Sequence, residues 1–234
     1  MSASKINVSK QAIDLIKHKL YPETVLGIGT GSTVNFFINE LKNFKNNFAG
    51  AVSSSEASSV LLKENGIEVF NLNDVIEITF YIDGADEVSP NNELIKGGGG
   101  AHTREKIVAS ASNEFICIVD ESKIVTELGA FPLPVEVIPE SRSLVSRKLI
   151  SMGGIPEYRS GFVTDQGNHI LDVRDIDISN PQSLELMINN IPGVVDNGIF
   201  AANKPQRILV PKWNYKICSI ADIKSGESGL TPDP

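Results

Sequence analysis

Apolar residues recur along the first half of the chain in two alternating rhythms. Ala12, Ile13, Ile16 and Leu20 keep helical spacing and predict a helix over 9–20. Short apolar runs at 24–28, 50–53, 67–70, 78–82 and 115–119 read as buried strands. Helical patterns at 35–41, 57–65 and 103–112 fall between them. Strands alternating with helices of this length predict a mostly parallel, doubly wound, Rossmann-like sheet. Ligands of such sheets sit at the carboxyl ends of the strands, so loops after strands are where chemistry is expected.

The rhythm changes at Phe131-Pro132-Leu133-Pro134. A strand at 135–138, a helix at 141–152, strands at 157–163 and 169–173, a helix at 181–190 and a strand at 194–200 follow. The polar, glycine-containing segment 164–168 supplies the turn between the two middle strands. The order β-α-β-β-α-β is that of a ferredoxin-like α+β module. The expected organisation is a Rossmann-like catalytic domain over 1–131 and 205–234, with the small α+β domain, 132–204, inserted in it.

Composition narrows the function. The 234 residues are 41% hydrophobic and 21% charged, enough ordinary sequence for a sizeable core. The net charge of −8 lacks the basic footprint needed to displace counterions from a nucleic acid, so no nucleic-acid partner is expected. Residues 1–10 are polar and without a signal-peptide core, and no apolar run approaches the ~20 residues of a membrane span. No membrane contact and a cytoplasmic location are the expectation. Cys117 and Cys218 stand far apart without a CxxC partner, which excludes a disulfide framework and a cysteine zinc site. Cys117 reads as a packed thiol in a buried strand.

Four clusters stand out along the chain. Gly27-Ile28-Gly29-Thr30-Gly31-Ser32-Thr33 leads into a helix, whose free N–H groups and positive dipole end suit a phosphate. It lacks the lysine of a Walker loop and the third Rossmann glycine, so a phosphate cradle and a plain tight turn both remain open. Ser53-Ser54-Ser55-Glu56-Ala57-Ser58 reads as a helix cap. Asp83-Gly84-Ala85-Asp86-Glu87 offers three carboxylates, better suited to sugar hydroxyls than to a hard cation that wants more oxygens. Lys96-Gly97-Gly98-Gly99-Gly100-Ala101-His102-Thr103-Arg104-Glu105 carries four costly glycines, which suit backbone curled round a ligand. Lys96 adds a positive charge, and Glu105 in the first turns of the next helix is a candidate base. His18, His169 and His102 read as bystanders.

Taken in order, GIGTGSTV, SSSEAS, DGADEV and KGGGGAHTREK resemble the A-type ribose-5-phosphate isomerase family. FICIVDESK, FPLPVEVIP and IPGVVDNGIF extend the resemblance over about 27–201. It implies interconversion of ribose 5-phosphate and ribulose 5-phosphate in the pentose phosphate pathway. It implies no organic cofactor, no metal, and a homodimer or homotetramer. By resemblance Glu105 is the proton acceptor. Thr30, Gly31, Ser32 and Thr33 form one substrate loop, Asp83, Gly84, Ala85 and Asp86 a second, and Lys96, Gly97, Gly98 and Gly99 a third. Lys123 is a further contact, with Lys10 a weaker candidate for an N-terminal lysine. Asp83, Asp86 and Lys96 join Glu105 in the expected catalytic group. Two departures stand out: His102, where the family more often has an apolar residue, and the segment from Lys204, which leaves the last strand open.

Other readings make different demands. Sugar-phosphate sensor domains of transcription regulators have a similar fold but need a DNA-binding helix-turn-helix and a basic patch, and neither fits before Gly27. Sugar-phosphate deaminases and coenzyme A transferases also use a carboxylate, and are told apart by ammonia release or a thioester adduct. A plain nucleotide-binding Rossmann domain would bind NAD.

Overall fold

A computed structural model describes residues 2–211 together with 217 and 218. The strands are β1 (Val25–Ile28), β2 (Gly50–Ser53), β3 (Val69–Phe70), β4 (Ile78–Asp83), β5 (Glu87–Val88), β6 (Leu94–Ile95), β7 (Ser112–Ile118), β8 (Leu133–Val137), β9 (Ile155–Tyr158), β10 (His169–Arg174), β11 (Val194–Asn197), β12 (Ile199–Phe200), β13 (Arg207–Pro211) and β14 (Ile217–Cys218). The helices are α1 (Ser2–Ile16), α2 (Ser32–Leu41), α3 (Glu56–Glu64), α4 (His102–Ser110), α5 (Arg142–Ser151) and α6 (Pro181–Asn189). None is long and apolar enough to cross a membrane.

The large sheet runs β14-β13-β7-β4-β1-β2-β3, parallel from β13 to β3, with β14 antiparallel at the edge. Its strands alternate between two cores, as a pleat buried on both faces requires. Ile82, Ile116, Ile118 and Leu209 pack under α1 and α2, where Ala12, Ile16, Phe37 and Leu41 are fully buried. Tyr81, Phe115, Cys117, Ile208 and Val210 face the opposite way, toward Val108 and Ala109 of α4 and Phe200. From β1 the chain winds outward through β2 and β3, then returns to pair β4 on the other side of β1. The switch point therefore lies between the carboxyl ends of β1 and β4, where open α/β sheets bind ligands.

The second sheet, β11-β8-β10-β9, is antiparallel throughout and is covered by α5 and α6. That is the ferredoxin-like order. A third, small sheet, β12-β6-β5, pairs the hairpin at 87–95 with residues 199–200.

Several expectations shift at their edges. The first helix begins at Ser2 and gives way to a short 3-10 turn after Ile16. The strand expected over 157–163 runs instead over Ile155–Tyr158; the Arg159 N–H still bonds the Ile170 carbonyl at 3.0 Å, and residues 160–163 are outside the strand. The closing strand expected over 194–200 is split at Gly198: the ladder with β8 runs as far as Asn197, and Ile199–Phe200 pairs with β6 instead. The two-residue strands β5 and β6 were too short to register as a period. The segment from Lys204 does supply a final strand: Arg207–Pro211 runs parallel to β7. Residues 212–216 and 219–234 of the divergent tail, assigned above to the catalytic domain, lie outside the described residues.

Candidate active site

Three of the four loops meet at the switch point. They enclose a cavity of about 170 Å³ lined by Thr30, Gly31, Ser32, Thr33, Gly84, Ala85, Asp86, Lys96, Gly97, Gly98, Gly99, Glu105 and Lys123 among others. The residues expected to touch substrate are on that wall except Asp83, which lies beneath it with no exposed surface, and the weaker candidate Lys10.

The acidic loop splays its carboxylates in three directions, which removes the repulsion their sequence spacing suggests. Asp83 turns inward. Its Oδ1 accepts the backbone N–H of Thr30 at 3.0 Å and of Gly84 at 2.7 Å, while Oδ2 takes the Tyr81 hydroxyl and the Lys96 ammonium, the latter at 2.7 Å. Asp86 faces the cavity and accepts the N–H of Gly98 at 2.8 Å. Glu87 is buried on the far side against the N–H groups of Gly129 and Phe131. Only glycine fits at position 29, since a Cβ there would lie 2.0 Å from the Asp83 carboxylate.

Lys96 is buried and uses its three protons on Asp83, on the Gly84 carbonyl at 2.5 Å and toward Glu105 at 3.2 Å. Burial alone would pull this ammonium down, but the Asp83 and Glu105 carboxylates outweigh it and hold the group above its ordinary range. Glu105 sits in the first turn of α4, also buried. Its Oε2 has the Lys96 ion pair and no well-directed hydrogen bond. Loss of solvent, reinforced by the charge of Asp83 and only partly offset by Lys96, pushes its pKa up to about 8. A carboxyl that titrates near neutrality can both take and return a proton.

The first loop is braced by hydroxyls. Thr30 Oγ1 donates to Ser55 Oγ at 2.8 Å and lies 3.0 Å from Ser54 Oγ. Ser55 passes its proton to Ser58 at 3.1 Å, and Ser58 Oγ donates to the Gly29 carbonyl at 2.7 Å. Ser55 is also the N-cap of α3, as its position before a helix suggested. The serine loop is thus both cap and buttress, and the Thr30 hydroxyl is already bonded within the protein. Ser32, Thr33 and Val34 open α2 toward the cavity.

Sequence reasoning missed three participants. Lys5 of α1 lines the cavity and donates to Ser32 Oγ at 2.7 Å, whereas Lys10 is exposed and off the wall. No local motif marks Lys5, which arrives by helix packing. Tyr81 lies two residues before Asp83 on one strand, hence on the same face, a period-two signal that was available. Asp120, also on the wall, caps the short turn that carries Lys123 by accepting the N–H of Ser122 at 3.1 Å. His102 is fully buried, and desolvation, opposed by Glu136 and Asp196, pushes its pKa down to about 4. It therefore stays neutral, its Nε2 lying 3.4 Å from the Asp196 carbonyl. Cys117 is buried and free, its thiol pushed up to about 12, chiefly by burial, which makes it inert.

Comparison with known proteins follows the same lines. The family model for ribose 5-phosphate isomerase A (phosphoriboisomerase A) matches residues 50–213. Ribose-5-phosphate isomerase A of Legionella pneumophila (strain Corby) is 54% identical over 210 residues, 90% of this chain and 95% of that one. The crystal structure of ribose 5-phosphate isomerase A from Neisseria gonorrhoeae superposes with a TM-score of 0.86 at 48% identity, covering 92% of this chain and 94% of its own. A D-ribose-5-phosphate isomerase in complex with phospho-erythronic acid gives 0.86 at 34% identity, covering 94% and 98%.

Proposed function

The chain belongs to the ribose 5-phosphate isomerase A family, and from that membership we propose how its cavity carries out the isomerisation. The reaction is an aldose–ketose isomerisation between ribose 5-phosphate and ribulose 5-phosphate. In the open-chain aldose, Glu105 removes the proton from C2. The electron pair forms a C1–C2 double bond, and the aldehyde oxygen becomes the oxyanion of an enediolate. Collapse to the ketone at C2 returns the proton from Glu105 to C1, while the hydroxyl proton passes from O2 to O1.

The observation that carries this reading is the buried Asp83–Lys96–Glu105 cluster on the cavity, with Glu105 pushed up to about 8 and Oε2 lacking a directed donor. A positioned general base contributes roughly 10²–10⁴-fold in rate. Lys96 and the N–H groups of the glycine wall offset the charge that develops on O1 and O2, with donors held in place before reaction. Asp86 holds the hydroxyls and assists ring opening. Asp83, spent on Lys96 and two backbone N–H groups, acts from behind by fixing the ammonium. The phosphate is assigned to the N-terminus of α2 with Lys5 and Lys123, where it supplies remote binding energy to orient the reacting carbons. No organic cofactor or metal enters the scheme. A cytoplasmic site of action in the pentose phosphate pathway and a homodimeric or homotetrameric assembly belong to the same reading.

The test is E105Q in a direct assay with ribose 5-phosphate. The expected result is a kcat at least ~10²-fold below wild type with KM little changed. Turnover near wild type removes Glu105 from the role.

A further inference from the structure

We propose that Arg159, which does not line the cavity, is a positioning residue that locks the glycine wall and, through it, Asp86. Arg159 follows β9 in the ferredoxin-like module. Its guanidinium is held in a bidentate pair by Asp172 of β10, Nε at 2.8 Å and Nη2 at 2.5 Å, and it lies 5.4 Å from the centre of the Phe162 ring. The remaining nitrogen, Nη1, donates to the carbonyls of Gly97 and Gly98, both at 3.2 Å.

The peptide between Gly97 and Gly98 is the point of the arrangement. Its oxygen accepts from Arg159 and from the Gly100 N–H, the latter at 2.9 Å, which fills both lone pairs. Its N–H donates to Asp86 Oδ2 at 2.8 Å. One peptide plane is therefore pinned at opposite ends by a cation and an anion. Hydrogen bonds in series polarise one another, so the guanidinium strengthens the donor that Asp86 feels. The peptide is flanked by glycines, with Gly97 at φ +101° and Gly100 at φ +79°, so little else prevents it from rotating and turning its carbonyl toward Asp86. The same module closes the far end of the wall, because the Phe162 ring packs where a Cβ at position 100 would be, 2.2 Å away.

This inference rests on the proposed role of the cavity, and its test keeps the two apart. R159M, R159K and E105Q are each assayed with ribose 5-phosphate, and inhibition by inorganic phosphate and by phospho-erythronic acid is measured for R159M and R159K. R159M is expected to lower kcat about 10- to 100-fold, the scale of a misplaced catalytic contact. It is expected to weaken phospho-erythronic acid by a similar factor and to leave the inhibition constant for inorganic phosphate within about twofold, since the phosphate end does not depend on this peptide. R159K, which keeps the charge but loses the fork, is expected between R159M and wild type. Folded R159M with wild-type kcat and wild-type phospho-erythronic acid binding overturns the proposal. If R159M does not fold, R159K decides: a kcat lowered at least threefold with phosphate inhibition unmoved supports the lock, and an unchanged kcat overturns it. Full activity of E105Q instead removes the base, whatever Arg159 does.

Discussion

Two lysines approach the same Phe200 ring, the buried Lys96 at 5.5 Å and the partly exposed Lys106 at 5.0 Å from its centre, and each is surrounded by two carboxylates and one carbonyl. Lys106 binds Glu185 at 2.9 Å, Asp196 at 2.8 Å and the Asn197 carbonyl at 2.8 Å. Lys96 binds Asp83, the Gly84 carbonyl and Glu105. The charge count is the same, and the difference is in what else the carboxylates receive. Glu185 also accepts the N–H groups of Ala201 and Ala202, and Asp196 those of Asn197 and the Asn189 amide. Glu105 has no such donor on Oε2. A cluster whose carboxylates are fully bonded holds a fold together, whereas a buried one left short of donors raises the basicity of its carboxylate, which is what the proposed base requires.

The sharpest way to break this contrast is K106M. Removing the cation of this mostly buried ion cluster strands the buried Glu185, and a loss of about 3 kcal/mol in unfolding free energy is expected. Denaturant titration measures it, and kcat per folded molecule is expected to stay close to wild type. A large drop in kcat without loss of stability would mean that the two clusters are not distinct in kind.

The pH dependence gives the next largest effect. In the folded state Glu105 keeps its proton up to about 8, whereas the unfolded carboxyl releases it near 4.5. Between those values the folded protein carries more protons, so rising pH favours unfolding. Wild type is expected to lose stability across this window relative to E105Q, read as a difference in Tm that widens toward pH 8. Over the same range kcat/KM of wild type is expected to rise as the base ionises, with its acid limb centred near 8. Parallel Tm curves, or a limb near the ordinary glutamate value, would show that burial does not perturb this group.

The smallest effect belongs to the phosphate end, where the cations are partly exposed. K5M and K123M are each expected to raise KM about 3- to 10-fold with kcat little changed, and added salt is expected to narrow the difference from wild type through screening. Steady-state kinetics at two ionic strengths checks both.

How much of this was legible in the sequence depends on whether the signal was local. Periodicity located the parallel strands up to β7, though not β13, and the β-α-β-β-α-β order, because burial on one or two faces writes itself into spacings of two and three or four. The glycine and carboxylate motifs marked three walls of the cavity, because close backbone approach tolerates no side chain, as at Gly29 against Asp83. Partners that arrive from far along the chain were not legible. Lys5 reaches Ser32 only through the packing of α1 on α2, and Arg159 reaches Gly97 from 62 residues away. Nor did the motif reveal that Asp83 and Asp86 divide their work, one beneath the wall and one on it, since that follows from how strand β4 ends rather than from composition.

The most direct measurement is the fate of deuterium at C2 of ribose 5-phosphate. Wild type and E105Q are compared by NMR at pH 8 for the rate at which the C2 label is lost or moved to C1. If one buried glutamate moves this proton, E105Q breaks the C2 bond more slowly by ~10² or more while still binding inorganic phosphate. A rate within a few-fold of wild type would contradict the account.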